Sequence, residues 1–257
     1  MIRLLGTLDQ IMTATSQFYT GLVARLYEPL AGQQAEPAIY QRFVEKHGEP
    51  ALELACGGGH PMLSLMQSGL DVHGLDASAD LLDSLKRKAT QLGLTPTLYH
   101  QTMQTLSVEG QYACCYLAGA SFCLIDDLAD AQEALCRVYA ALIPGGHFLL
   151  SVFEPPAAKL PSAVRSTTLA DGSVATVQSI SEQRDTDQQQ VSMLLRYTCT
   201  LDGKTENVER PWRLRWYRAN QLTDMLQAVG FNIIKIASEK AASVDPRATN
   251  FYVVAQK

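Results

Sequence analysis

The stretch from Pro50 to His60, PALELACGGGH, constrains the fold more than any other part of the chain. An apolar run over residues 51–55 enters Gly57, Gly58 and Gly59, and a helical pattern follows. Strand, tight loop and helix start in that order predict an α/β fold. Glycines in such a loop allow positive φ and let a ligand approach the backbone. The helix start beyond them presents unpaired N–H groups, so the loop is a candidate site for a nucleotide-like ligand.

Two acids narrow the ligand. Glu53 lies in the strand three residues before Cys56, and residues 72–76 form a second strand ending in Asp76, at the spacing of a ribose-binding carboxylate. A carboxylate as close to the loop as Glu53 repels a pyrophosphate and attracts a cation. A phosphate-free, positively charged nucleoside is therefore favoured over a dinucleotide.

The rest of the chain supplies the scaffold. Strands are expected at residues 71–75, 97–101, 112–117 and 147–153, with helices at 61–68, from Ser78 to Leu92 and at 126–142. Such alternation implies a parallel sheet covered on both sides. Between Gly172 and Tyr217 the period changes to two, clearest in Val191, Met193, Leu195, Tyr197, Cys199 and Leu201, and Asp202-Gly203 is a hairpin signal. This predicts an antiparallel insert of about three strands. A helix ending at Gly230 and strands at 231–236 and 250–254 complete a doubly wound, mostly parallel seven-stranded sheet. Residues 1–48 read as a helical cover broken at Glu28-Pro29 and near residues 32–37. The expected division is cover 1–48, core 49–154 and 218–257, and insert 155–217.

Charge and composition exclude several classes. A net charge of −5 argues against a non-specific nucleic-acid binder. No apolar run spans a bilayer and the N-terminus lacks signal-peptide architecture, so a soluble protein without membrane partners is expected. Six cysteines without paired spacing read as free thiols of a reducing cytoplasm. Five scattered histidines give no ligand spacing, and no metal is expected.

With these elements placed, the chain resembles the class I S-adenosylmethionine-dependent methyltransferases of the small-molecule type. The resemblance is carried by ELACGGG from Glu53, GLDAS from Gly74, LIPGGHFLL from Leu142 and RWYRANQLTDMLQAVGF from Arg215, and covers about residues 50 to 257. S-adenosylmethionine has no phosphate and carries an ammonium and a sulfonium, as the loop requires. The resemblance implies that Glu53 lies by the methionine ammonium, that Ala55, Cys56, Gly57 and Gly59 line the cofactor, and that Asp76 with Ala77 holds the ribose. Thr102 and Met103 match positions around the adenine, and Leu117 matches one near the methionyl end. The sequence departs from the family at Ala55, where a glycine is usual, and at Thr102 and Ala113, where acids are common.

The expected activity is methyl transfer to a small-molecule acceptor lying between cover and insert. Tyr19 and Tyr27, two helical turns apart, and Arg213 and Arg215 in the insert are candidate acceptor residues, although packing explains the tyrosines as well, and a solvated strand face or structural ion pairs explain such arginines more often than a substrate clamp. The arginines would suit an anionic acceptor. No residue is assigned as a catalytic base, because a sulfonium is already activated and alignment does most of the work. The alternative is a non-catalytic cofactor-binding or interaction module, consistent with Thr102 and Ala113. A nicotinamide dehydrogenase would need a glycine loop without Glu53.

Overall fold

The computed structural model describes residues 18–31, 36–153, 164–238 and 250–257. Expectations for residues 1–17 and for the break near residues 32–35 lie outside that set. Among the described residues, the cover contains helices α1 (Leu22–Leu30) and α2 (Pro37–His47). Pro29 lies inside α1, one residue before its end, so the break expected at Glu28-Pro29 is absent. A proline in the last turn forgoes only one backbone hydrogen bond.

The core alternates as its hydrophobic pattern requires: β1 (Ala51–Leu54), α3 (Met62–Gln67), β2 (Val72–Asp76), α4 (Ala79–Gln91), β3 (Leu98–His100), β4 (Tyr112–Leu117), α5 (Leu128–Ala141) and β5 (Leu142–Phe153). After the insert come α6 (Ala219–Val229), β10 (Asn232–Ser238) and β11 (Asn250–Gln256). The seven-stranded sheet has the order β10-β11-β5-β4-β1-β2-β3, and only β11 runs against its neighbours. Strand order reverses between β1 and β4, where open α/β sheets bind their ligands.

Both sheet faces are covered. Leu82, Leu85 and Ala89 of α4 pack with Tyr40, Phe43 and Val44 of α2 on the face carrying Ala51 and Tyr116. Leu135 and Val138 of α5 pack with Leu222 and Leu226 of α6 on the face carrying Leu52, Leu54 and Leu117. Each buried leucine contributes about 1.5–3 kcal/mol. Local signals fix the helix ends: Ser78 caps α4 by accepting the Leu81 N–H, and Asp127 caps α5 by accepting those of Ala129 and Asp130.

The insert is a separate antiparallel sheet of four strands, β6 (Arg165–Thr168), β7 (Val174–Asp185), β8 (Gln190–Leu201) and β9 (Lys204–Arg215). The sequence predicted about three. β6 is a short, polar and largely exposed edge, so it carries no alternation to read. One face of the insert packs Ala175, Val177 and Tyr197 against Phe18, Val23 and Leu26.

At the opposite end of the core sheet, the rings of His47 and His147 stack at 3.8 Å. Burial, then the neighbouring His147 and Lys46, push the His47 pKa down from 6.5 to about 4. Below pH 6.5 the unfolded chain takes up a proton that folded His47 refuses until about pH 4. Stability is therefore full above pH 6.5 and lost as pH falls towards 4. Urea unfolding at pH 7.5 and 5 should show a lower midpoint at pH 5, and His47→Phe should flatten that difference.

Candidate functional site

Loops at the carboxyl ends of four strands converge where the strand order reverses. Beyond β1, Ala55 turns the chain at φ 53. This left-handed conformation costs a residue with a Cβ about 1–2 kcal/mol. Gly57 follows at φ 52 and donates its N–H to Asp76 Oδ2 at 2.8 Å. Asp76, the last residue of β2, accepts the Ser78 N–H through Oδ1 at 2.8 Å. Burial raises the Asp76 pKa, while the Ser78 and Gly57 N–H groups and His100 hold it down.

Gly74, next to Glu53 in β1–β2 register, makes room for this loop. A Cβ there would meet Cys56 Sγ at 2.7 Å and Met62 Sδ at 2.8 Å. Thr102 opens a short 3-10 turn over Met103–Thr105 by exchanging hydrogen bonds with Thr105. The His100 ring contacts the Ala77 carbonyl at 3.1 Å and ties the second and third loops together.

These loops enclose a cleft of roughly 670 Å³, partly open to solvent. Ala55 and Gly57 form its first wall, Asp76 with Ala77 and Ser78 its second, and residues 101–104 its third. Ser121, Leu124 and Ile125 follow β4 along one side. Tyr19 and Tyr27 close it from the cover, with their rings edge to face at 5.1 Å.

The cover is fastened to α4 by polar links. Ser78 Oγ donates to the Tyr19 carbonyl, and the Gly21 N–H donates to Asp80 Oδ2 at 2.6 Å. Lys88 Nζ pairs with Glu28 and donates to the Gly58 carbonyl at 2.9 Å. Burial drives the Tyr19 hydroxyl pKa up strongly, with Tyr27 and Tyr197 adding to the rise and a hydrogen bond with Trp212 opposing it. Burial, followed by Asp76, Glu28 and Glu53, raises that of Tyr27. Both phenols are neutral near pH 7 and suit positioning better than proton abstraction.

Glu53 lies beneath the loop and is fully buried. Its Oε2 accepts the Tyr116 hydroxyl at 2.8 Å, and its Oε1 has no hydrogen-bond partner among the described residues. Burial pushes its pKa up to about 8, while the Tyr116 hydroxyl and the nearby Met62 backbone N–H, which makes no hydrogen bond to Oε1, pull it down and Asp76 adds to the rise. An unpartnered buried carboxylate oxygen is costly on its own and fits a cationic ligand.

The remaining candidates separate. Cys56 and Leu117 are buried in the two core clusters, and neither these nor Gly59 lines the cleft. Arg213 and Arg215 do not reach it either, because alternation along β9 sets them on the face opposite Trp212 and Leu214. Arg215 spends its donors on the carbonyls of Asp126, at 2.8 Å, and Gln188, at 2.6 Å. Arg213 is exposed, 3.9 Å from the Asp126 carboxylate. The same alternation sets Glu182, Met193 and Trp212, neighbours across β7, β8 and β9, on one face, where Trp212 packs against the cover and Met193 against the core.

Sequence reasoning passed over Ser121, Leu124 and Ile125, which sit in and just after a single 3-10 turn too short to give a periodic signal. It also passed over Tyr116, whose run is uniformly apolar. Among the described residues, no group of three or more His, Cys, Asp or Glu is placed to hold a metal ion, and no helix is long and apolar enough to cross a membrane.

Residues 51–146 match a family model described as "Methyltransferase domain". The chain is 27% identical over 116 residues to a ubiquinone biosynthesis O-methyltransferase of Photorhabdus laumondii, a match covering 45% of this chain and 48% of that one. It is 26% identical over 162 residues to dTDP-3-amino-3,6-dideoxy-alpha-D-glucopyranose N,N-dimethyltransferase of Streptomyces fradiae, covering 60% and 62%. The matched part is thus under two thirds of these curated relatives. Among solved structures, CalS10, a SAM-bound amino pentose methyltransferase of Micromonospora echinaspora, superposes with a TM-score of 0.69 at 14% identity, covering 93% of this chain and 98% of that one. Residues 51–146 accordingly resemble a methyltransferase domain, and the chain has the fold of the class I S-adenosylmethionine-dependent methyltransferases.

Proposed function

We propose that the protein binds S-adenosylmethionine in this cleft and transfers its methyl group to a small-molecule acceptor. The observation that carries the reading is the pairing of two buried acids: Asp76 in the cleft wall, and Glu53 beneath it with one oxygen unpartnered. Asp76 would hold the ribose hydroxyls, Glu53 the ammonium, and Thr102 and Met103 the adenine. When bound, the cofactor supplies an activated methyl group on a sulfonium. The protein's contribution is to orient the acceptor and keep water out, effects worth several kcal/mol.

The acceptor would lie between Tyr19 and Tyr27 of the cover and the Met193–Trp212 row of the insert. That assignment treats residues 1–48 as cover, 155–217 as a substrate lid, and the remainder as core. An anionic acceptor has little support once Arg215 is engaged with backbone carbonyls. Six cysteines, all free, favour a reducing compartment such as the cytoplasm.

Incubation with methyl-labelled S-adenosylmethionine and a panel of amino sugars, phenols and small amines should transfer label to at least one member. Calorimetric binding without transfer across the panel would favour the non-catalytic module, and no binding at all would end the reading. Trp212→Ala should lower turnover of the methylated acceptor at least tenfold. Affinity for S-adenosylhomocysteine should stay within about twofold, because Trp212 does not line the cleft.

A further inference from the structure

Glu53 is held by a partner that the cleft itself does not show. β1 and β4 are parallel neighbours in the register Glu53↔Tyr116, so the two side chains emerge side by side on one sheet face. Both are fully buried. The Tyr116 hydroxyl donates to Glu53 Oε2 at 2.8 Å, and among the described residues Oε1 is left without a partner. The Tyr116 ring is fixed in turn by Tyr40 of α2, whose ring lies 5.2 Å away at a tilt of 32°. The Tyr40 hydroxyl accepts the Gly119 N–H at 3.4 Å, joining α2 to the loop after β4.

We infer that Tyr116 is a positioning residue: by occupying Oε2 of Glu53 from a stacked, immobile ring, it fixes the carboxylate so that Oε1 receives the cofactor's ammonium. The inference rests on the cofactor reading above. A buried carboxylate can rotate about its terminal bond and share its charge between both oxygens. A donor locked on one oxygen sets the plane of the group and leaves a single acceptor site. The same bond favours the ionised carboxylate, which the cation requires. Phenylalanine at 116 would keep the packing with Tyr40 and remove only the hydroxyl.

The test compares S-adenosylhomocysteine with 5′-methylthioadenosine, which keeps the adenosine and thioether but lacks the ammonium-bearing arm. Calorimetric titration of the full chain should show tighter binding of S-adenosylhomocysteine. Tyr116→Phe should weaken that ligand about tenfold and leave 5′-methylthioadenosine within about twofold. In a Glu53→Gln background the same substitution should change neither affinity.

Equal losses for both ligands would reduce Tyr116 to a packing role, and no loss would overturn the inference. Wild-type protein that binds neither ligand would instead sink the cofactor reading, and the inference with it. Should Tyr116→Phe lose its folded melting transition, 3-fluorotyrosine introduced at position 116 alone keeps the shape and strengthens the donor. S-adenosylhomocysteine should then bind a few-fold tighter with 5′-methylthioadenosine unchanged, and an unchanged ratio would overturn the inference.

Discussion

Asp76→Ala is expected to abolish detectable cofactor binding and to destabilise the protein by about 2–4 kcal/mol, because it orphans two buried backbone donors that each cost about 1–3 kcal/mol. Those donors are the N–H groups of Gly57 and Ser78, both 2.8 Å from the carboxylate. Without them, the loop after β1 and the start of α4 lose their common anchor, and the cleft loses the wall the ribose would touch. Asp76→Asn separates the two effects. The amide keeps one acceptor but turns an N–H₂ towards the other donor, so part of the stability should return while affinity for S-adenosylhomocysteine stays at least thirtyfold weaker. Urea unfolding and calorimetric titration measure the two quantities. Wild-type affinity in the asparagine variant would show that the carboxylate is not the ribose anchor.

Gly59→Ala should have the second largest effect, a loss of about 2–4 kcal/mol from added volume in a packed site together with an unfavourable backbone angle. Gly59 has φ 97, and a Cβ there would stand 2.8 Å from Leu63 Cδ1 and 2.9 Å from Leu85 Cγ. Neither neighbour can retreat easily, since both belong to the buried helices that cover β1 and β2. For a chain of this size such a loss lowers the melting temperature by roughly 5–15 °C. Gly93→Ala supplies the control: its φ is 71, but a Cβ meets nothing within 4 Å. Only the backbone term remains, and a cost equal to that of Gly59→Ala would show that packing beneath the loop matters little.

What could be read from the sequence follows from how local each signal is. Glu53, Asp76 and the glycines are set by the ends of two consecutive strands, and a β-α-β unit fixes where its strand ends fall. The alternation in β8 was legible because Val191, Met193, Leu195, Tyr197 and Cys199 share the face that packs against core and cover, whereas the polar edge β6 offered nothing to read. Arg213 and Arg215 show the limit. Strand period told that they share a face, but which face meets the cleft depends on how the insert docks on the cover. Tyr116 was less accessible still. Its hydroxyl finds a carboxylate 63 residues away only because β4 is inserted beside β1, a pairing that strand order, not periodicity, determines.

Helix α1 contacts both α4 and the insert, and this bears on the order in which ligands come and go. Its apolar face is shared with the insert through Leu22, Val23 and Leu26, with Phe18 just before it, while the ties to α4 are a handful of polar links from Tyr19, Gly21 and Glu28, and it meets the insert again through the exposed Arg25–Glu206 pair. Parting an apolar cluster costs far more than exchanging surface polar links for water. A movement wide enough to release the spent donor would therefore carry α1 and the insert away together, and the acceptor's pocket, which lies between them, would travel with them intact. Methylated product could be retained through such a step, so successive methylations of one acceptor would be processive, with little partially methylated intermediate free in solution.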